Sequence, residues 1–596
     1  MQYTKGPLMN IAIIKLLQDI AKAYENDRTE KWKRVAFEKA ATIIETLNEK
    51  IDQNTDCTKI PGIGASIAKT IKEFLETSQS TRLNKLLSNM GYTDISMLAG
   101  IQEMTKIPKI GFKTAQKIYQ DHGVKSLKEL KQAVADGVIT GKLAAMVNAG
   151  IKLAETQNER MPWFQASPVA AQILKRLKAV AKNAKAATAG SLRRRADTVR
   201  DFDFVVVATA EGALEALKEP FKGMEVKVVQ GGDKKIMLEV VLPTDIRRAD
   251  VTLTTLESFG NNINYLTGSR EFNIKMRQLA LKKGLTVNEH FTVRKATGEK
   301  LASGSEKDLF DHLEINFIPP ECRITGLEIN NPRYTKKSLI PKDLSVIRGD
   351  LHIHSSHSDG IFSPKELATA AVNAGYDFLG ITDHNAGIAG GLGPGQIDDY
   401  IASIKNAEAQ VNIPLYAGLE VDIRPKGDFK LPIEELAKLN YVIFSTHLKQ
   451  AENIVWRLIM AIKTLRKKEP NMPIIIAHLT GRLLGGRKTR PGAINENWTP
   501  LFKFCAANNI ILEINSRPER CDIHGKLIRQ AIMFGCKFAI NSDAHNQIDL
   551  ATNLRYGIME ARKGGLSLSD IINTNTEEVQ KWLTGSTQNL NTIKKD

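Results

Sequence analysis

Two groups of residues in this chain have the types and spacing for phosphoryl chemistry. The first is acidic. Asp201 and Asp203 stand two apart at the start of the apolar run Phe202–Val207, so both carboxylates leave one face of a strand. Asp250, after Arg247-Arg248-Ala249, opens another such run and can join them from a neighbouring strand. Three converging carboxylates repel one another unless cations neutralise them. Two Mg²⁺ ions would do so, and would stabilise the attacking and leaving oxygens of an in-line displacement. Eleven residues before Asp201 begins Gly190-Ser191-Leu192-Arg193-Arg194-Arg195, a Gly-Ser turn whose arginines suit a triphosphate.

The second group is rich in histidine. Asp350-Leu351-His352-Ile353-His354 is followed by Ser358-Asp359-Gly360, and then four apolar runs each lead into a histidine: His384, His447, His478 and, through Asp543, His545. Glu420 ends the run Leu415–Leu419 in the same way. Side chains at the C-terminal ends of parallel strands converge at one mouth of an α/β barrel. Six histidines (His352, His354, His384, His447, His478, His545) and three acids (Asp359, Glu420, Asp543) there make a site for more than one transition metal.

These side chains need elements to position them, and the pattern changes along the chain accordingly. Residues 1–155 read as short helices; Asn10 is placed to cap one whose Ile13, Leu16, Leu17 and Ile20 form a buried face. Within it, Lys59-Ile60-Pro61-Gly62-Ile63-Gly64 with Ala68 and Ile71 is repeated as Lys106-Ile107-Pro108-Lys109-Ile110-Gly111 with Ala115 and Ile118. A tight turn into a helix N-terminus presents backbone N–H groups to a phosphate. Each copy resembles a helix-hairpin-helix motif, which grips DNA backbone, and Gly62, Gly64 and Gly111 are its expected DNA-contacting positions. Residues 156–256 read as strands with helices, 257–318 as mixed helix and strand, 319–347 as a Pro- and Asn-rich linker, 348–583 as alternating strand and helix, and 584–596 as a loose tail.

Composition excludes several classes. No apolar run approaches the length of a membrane span, there is no signal peptide, and five scattered cysteines without a CxxC pair favour a reducing, cytoplasmic setting. The net charge of +17 is uneven: an excess of 14 positive charges up to residue 350 and of 3 beyond it, whereas eight of the eleven histidines lie beyond it. The first part is therefore suited to a polyanion and the second to metal. Nothing demands a second copy of the chain, so a monomer is expected.

The Gly-Ser turn and aspartates, continued by Phe259-Gly260, Tyr265-Leu266-Thr267-Gly268-Ser269, Asn273, Arg277 and Gly284–Glu289, resemble the nucleotidyltransferase palm (156–256) and thumb (257–318) of family X DNA polymerases. The resemblance implies that Asp201 and Asp203 bind two Mg²⁺ or Mn²⁺ ions, with Asp250 on the catalytic one beside the primer 3′-hydroxyl. It places Gly190, Ser191 and Arg194 at the triphosphate, Tyr265 and Gly268 at the incoming sugar, and Asn273 and Arg277 on the minor-groove side of the nascent pair. Arg195 and Arg200 stand where the family usually has glycines, and Leu266 where an aromatic is usual. The helical part is similar to the family's 8-kDa gap-binding domain (1–90), followed by a second helical DNA-binding subdomain (91–155). Thr70 occupies the position of the lyase lysine, so no strong lyase activity is expected, although Lys69 and Lys72 adjoin it.

Residues 348–583 resemble the PHP phosphoesterase family, a distorted (β/α)7 barrel. Carried across, one metal is held by His352, His354, Glu420 and Asp543, a second by Glu420, His447 and His478, and a third by Asp359, His384 and His545, with Mn²⁺ or Zn²⁺ implied. Arg482 is a candidate phosphate ligand, Asp383 a support for a neighbouring ligand, and His357 and His524 are expected at the surface. The order of domains matches bacterial-type family X polymerases. The implied function is addition of dNTPs at short gaps in primer-template DNA during repair, with 3′-5′ exonuclease and also 3′-phosphatase or abasic-site endonuclease activity in the barrel. The alternatives are a phosphoesterase whose palm is a DNA-holding scaffold, and a polymerase whose barrel is structural or acts on a small phosphate ester.

Overall fold

The computed structural model describes residues 8–24, 31–45, 51–89, 95–105, 110–148, 160–386, 390–447, 453–485, 492–493 and 496–585. The chain divides into two compact units, residues 1–158 and 159–596. No described helix is long and apolar enough to cross a membrane.

The first unit is helical. Ile13, Leu16, Leu17 and Ile20 are buried in the helix Leu8–Ala23 as their spacing requires. Asn10 does not cap it: it lies inside the helix and its Oδ1 accepts a hydrogen bond from the Ile51 N–H at 2.9 Å. The turn at Gly62 (φ +94°) leads to Gly64, the N-cap of Ala65–Thr77. Gly111 caps Phe112–His122 with nearly the same backbone angles, −79° and 167° against −77° and 160°. Neither cap donates a side-chain bond, and the space where a Cβ would sit is open at both. The repeat is thus geometric as far as it is described; Lys106–Lys109 of the second copy lie outside the described residues. Thr70 is buried and bonds the Ser66 carbonyl, as befits a packing residue.

In the second unit a five-stranded sheet runs in the spatial order Ala186–Thr188, Phe202–Val206, Asp245–Leu253, Lys235–Leu242, Glu225–Gln230. The helices Trp163–Val180 and Ala210–Lys218 contribute Ala166, Ile173 and Leu217 to its core. Phe202–Val206 and Asp245–Leu253 pair in parallel, and Asp203 lies opposite Asp250. Asp250 therefore sits within a strand rather than opening one. The helices Phe259–Thr267, Arg270–Lys282 and Glu306–His312 follow, with a small antiparallel sheet between the last two.

Residues 319–347 are not a free linker. They form short 3₁₀ turns that insert Cys322, Tyr334 and Leu339 into the core of the preceding helices and Ile340 and Ile347 into the core of the barrel. Glu321 pairs with Arg562 of the barrel at 2.8 Å, and Glu328 with Arg529.

The last part is a parallel sheet of seven strands in sequential order: β1 (Gly349–Asp350), β2 (Phe378–Ile381), β3 (Leu415–Asp422), β4 (Tyr441–Ser445), β5 (Ile474–Ile476), β6 (Ile511–Asn515) and β7 (Lys537–Asn541). A bridge between Ile353 and Ala544 links the two edges and nearly closes a barrel. The strands are buried almost throughout, which explains their continuous apolar runs. The chain end expected as a tail lies outside the described residues from 586 onward.

Candidate functional site

In the palm, the register that sets Asp203 against Asp250 brings two carboxylates to one sheet face, and Asp201 stands two residues before Asp203. Burial, then the Asp250 and Asp201 charges, push the Asp203 carboxyl up to about 6. The chain supplies its own counter-charges: Lys235 Nζ lies 2.9 Å and Arg248 3.1 Å from Asp250, and Arg200 Nε 2.9 Å from Asp201. Three acids that need three cations suit divalent metal.

Gly190 is required here, because its φ is +58° and a Cβ would meet Asp203 Oδ2 at 2.0 Å. Ser191 is half-buried on the same turn, and Arg194 bonds the Thr267 carbonyl next to Gly268. Arg195, where a glycine is usual, does adopt a left-handed backbone (φ +52°), and its guanidinium lies 5.0 Å above the Trp163 ring. The buried Asn273 donates to the Tyr265 carbonyl at 2.8 Å, and Arg277 Nε lies 3.3 Å from the Asn273 carbonyl. Tyr265 itself is exposed. Asn273 thus clamps two helix ends, with its amide engaged by backbone.

Arg193 makes a paired contact with Glu306 at 2.7 and 3.0 Å, and Glu306 also holds the fully buried Arg323. Burial alone would raise Glu306, but the Arg323 and Arg193 charges outweigh it and hold the carboxyl at about 2. This triad ties the Gly-Ser turn to the helix Glu306–His312 and to the supposed linker.

In the barrel, all nine acids and histidines meet at the C-terminal ends of the strands. Glu420, on β3, is central: one or other carboxylate oxygen lies 2.8–3.6 Å from a ring nitrogen of His352, His354, His384, His447 and His478. Three sets of ligand atoms are close enough to share an ion: His354, Asp359, His384 and His545; His352, His354 and Asp543; His384, Glu420 and His447. His354 and His384 thus each stand between two sets, whereas the expected assignment gave each to one.

The donor chemistry fits metal. Glu513 Oε1 lies 2.6 Å from His352 Nδ1, which favours a proton there and turns Nε2 towards His354 Nε2 at 3.2 Å. Two buried ring nitrogens this close, with Glu420 and Asp543 oxygens 3.6 and 3.3 Å from His354 Nε2, need a cation among them, a proton or a metal ion. His354 Nδ1 and His478 Nδ1 are buried without a hydrogen-bond partner. Burial pushes His478 down to about 4, with Arg520 adding to it, so it stays a neutral donor. Burial opposes ionisation of Glu420 and Asp543, but the surrounding histidines hold both carboxyls well below their usual range.

Sequence reasoning missed the layer behind these ligands. Glu513 also accepts from the His478 N–H (2.9 Å), Asp422 from the His447 N–H (2.9 Å), and Asp522 from Thr480. A carboxylate inside the apolar run Ile511-Leu512-Glu513-Ile514 was the available signal. Asp383 bonds Ser355 and Ser358, shaping the loop that carries Asp359. Arg482 is no phosphate ligand: its buried guanidinium pairs with Asp197 of the palm at 2.7 Å and caps the Arg520 and Cys521 carbonyls. Nor are His357 and His524 surface residues. His357 packs edge-on against Tyr400 and bonds Ser403, while burial and the Arg482 charge push the half-buried His524 down to about 4.

A nucleotidyltransferase palm joined to a histidine-lined barrel defines a polymerase of the X class with a phosphoesterase domain, and sequence comparison agrees. The DNA polymerase beta thumb family matches residues 263–324, the PHP domain 350–517, a helix-hairpin-helix domain 9–80 and a SAM-like helix-hairpin-helix tandem 101–156. The chain is 31% identical over 588 residues to the DNA polymerase/3′-5′ exonuclease PolX of Bacillus subtilis (strain 168), covering 96% of this chain and 98% of that protein. It is 25% identical to DNA polymerase lambda of Rattus norvegicus over 54% of this chain and 57% of that one. With DNA nucleotidylexotransferase of Gallus gallus it shares 21% over 48% and 62%. The chain belongs to the PolX family: it is a family X DNA polymerase with a C-terminal PHP domain.

Proposed function

We propose that this chain fills short gaps in DNA during repair and trims 3′ ends with its barrel. The observation that carries the reading is the pairing of two complete acidic or histidine-rich constellations, each with its own positioning layer, on one chain. In the palm, Asp201, Asp203 and Asp250 would hold Mg²⁺ or Mn²⁺, while Ser191 and Arg194 hold the triphosphate of a dNTP beside Tyr265 and Gly268. Bound there, the metal supplies charge neutralisation for in-line phosphoryl transfer. Lys235, Arg248 and Arg200, which neutralise these carboxylates, would have to give way to it. Asp250, on the strand adjoining Asp203, would take the proton of the primer 3′-hydroxyl. The N-terminal turns at Gly62, Gly64 and Gly111 would hold the DNA backbone.

In the barrel, the nine ligands would hold Mn²⁺ or Zn²⁺, three ions in all, to hydrolyse the terminal phosphodiester of a 3′ end. Glu513 keeps the proton of His352 on the outer nitrogen, and Asp383 fixes the loop of Asp359. The five buried, unpaired cysteines agree with a cytoplasmic setting.

The test is a time course on a one-nucleotide-gapped duplex labelled at the primer 5′ end, with Mn²⁺, with and without dNTPs. Asp203→Ala is expected to lose extension and keep shortening, and His352→Ala the reverse. Extension that survives in Asp203→Ala, or shortening that survives in His352→Ala, would refute the corresponding assignment.

A further inference from the structure

A cavity of about 550 Å³ lies between palm and barrel, inside the ~300–1,000 Å³ range of small-molecule sites. Its palm wall includes Arg160, Arg194 and Ser269, and its barrel wall His524 and Lys526 at the start of the helix Gly525–Ile532. Arg194 connects it to the aspartates: its guanidinium bonds the Thr267 carbonyl, beside Gly268, and feels the charge of Asp203.

Every acid in the wall is already neutralised. Asp197 takes Arg482 at 2.7 Å and Lys563 at 3.4 Å. Glu560 takes the same Lys563 and the Gly525 N–H at 2.8 Å, and Glu321 takes Arg562 at 2.8 Å and Lys342 at 3.0 Å. Arg323 belongs to Glu306, and His524, pushed down to about 4 by burial, adds no charge. Three cations of the wall are left over. Among the described residues no carboxylate pairs with Arg160, Arg194 or Lys526; Arg160 bonds the Thr198 hydroxyl and carbonyl, and Arg194 the Thr267 carbonyl. Burial holds both arginines below their usual value, with Arg200 adding to it at Arg160 and Asp203 opposing it at Arg194. Cations contributed by two domains to one cavity, with no acid left to answer them, suit a compact polyanion.

We infer that this cavity binds the pyrophosphate released by the palm, and that Lys526 gives the barrel a part in the polymerase cycle separate from its metal cluster. This rests on the palm reading above, in which Ser191 and Arg194 hold the triphosphate. There the primer 3′-oxygen bonds the α-phosphorus as the bond from that phosphorus to the bridging oxygen of the β-phosphate breaks. The pyrophosphate keeps Arg194, while Arg160 and Lys526 draw it to the seam.

The test uses the full chain on the gapped duplex with free Mn²⁺ held constant. Sodium pyrophosphate is titrated as an inhibitor of extension, and KM for the dNTP is measured alongside. Lys526→Glu is expected to raise the inhibition constant of pyrophosphate about tenfold, with KM for the dNTP and nuclease activity within about twofold. Lys405→Glu, a charge reversal at an exposed site on the barrel helix Ile397–Val411 and outside the cavity, is expected to change none of these. An unchanged inhibition constant in Lys526→Glu, or the same rise in Lys405→Glu, would overturn the inference. An equal rise in the inhibition constant and in KM would also overturn it, and would assign the cavity to the triphosphate tail of the bound dNTP. A wild-type chain that extends no primer would refute the palm reading, and calorimetric titration of pyrophosphate into wild type and Lys526→Glu then tests the cavity by itself.

Discussion

Glu306 offers the sharpest test of how the polymerase half is held together. Its carboxylate lies between Arg193, on the Gly-Ser turn, and Arg323, whose guanidinium is fully buried and also bonds the Ile318 carbonyl and Asn264. Glu306→Gln keeps the shape and removes the charge, leaving the buried Arg323 and the half-buried Arg193 guanidinium groups sharing a neutral amide. A carboxyl held at about 2 instead of 4.5 contributes about 3 kcal/mol at neutral pH, at ~1.4 kcal/mol per unit. Breaking one partner out of a buried ion pair costs a similar ~3–5 kcal/mol. Burial lowers Arg323 more than Glu306 raises it, yet a guanidinium begins so far above neutrality that it stays charged. The carboxyl therefore decides the pH dependence. Its native value is depressed, so its stabilisation is complete above the ordinary carboxyl value of 4.5 and is lost as pH falls from there towards 2. Amide hydrogen exchange on the full chain reads this locally. At pH 7 protection in Phe259–Thr267 and Arg270–Lys282 should fall roughly a hundredfold in the variant, and the barrel strands should not change. At pH 3.5 the difference should shrink by about 1 kcal/mol. Equal protection at pH 7, or a difference that does not shrink in acid, would refute the reasoning.

Gly190→Ala forces a Cβ against the Asp203 carboxylate and a side chain into a left-handed backbone; nucleotide incorporation should fall by about 100-fold with nuclease activity unchanged. Glu513→Gln disturbs the proton on His352, and manganese titration of nuclease activity should show affinity about 10–100-fold weaker, against unaltered polymerase kinetics. Arg482→Met leaves Asp197 and two carbonyls without their buried partner at the seam between palm and barrel. It should cost about 3 kcal/mol in exchange protection on both sides of that seam, and a change confined to the barrel mouth would restore the phosphate-ligand reading. Exhaustive dialysis followed by elemental analysis should leave metal on the histidine-lined cluster and none on the aspartates, whose exposed Lys235, Arg248 and Arg200 compete for them; equal depletion would count against this.

What could be read from the sequence follows from how local each signal is. The barrel strands announce themselves because both faces are buried, and most of the candidate ligands because they stand within a few residues of a strand's C-terminal end; Glu420 lies inside β3 and Asp359 on the loop after β1. Asp250 was misplaced within its strand because Arg247 is buried beside Asp245, so two charges in succession break the alternation that marks a strand and look like a turn. The segment 319–347 looked like a linker because Pro and Asn dominate it. Its anchors Cys322, Tyr334 and Leu339 are sparse, and the partner of Glu321 lies 241 residues away. Asn10 has the right type for a cap, but the first helix begins before it and its amide serves Ile51 instead.

Arg482 shows why such pairs matter beyond bookkeeping of contacts. It follows His478 by four residues, which makes phosphate binding attractive, yet its partner Asp197 lies 285 residues away, between the Gly-Ser turn and Asp201. This ion pair, buried on the Arg482 side, thus joins the loop after the Gly-Ser turn to the loop after His478, and the Glu321–Arg562 and Glu328–Arg529 pairs fasten the same two halves elsewhere. Parting them would leave several buried charges unpaired at once, each at a cost of a few kcal/mol, so a swing of the barrel towards the palm is energetically closed. A 3′ end that visits both sites must therefore be carried by movement of the DNA and not of the barrel.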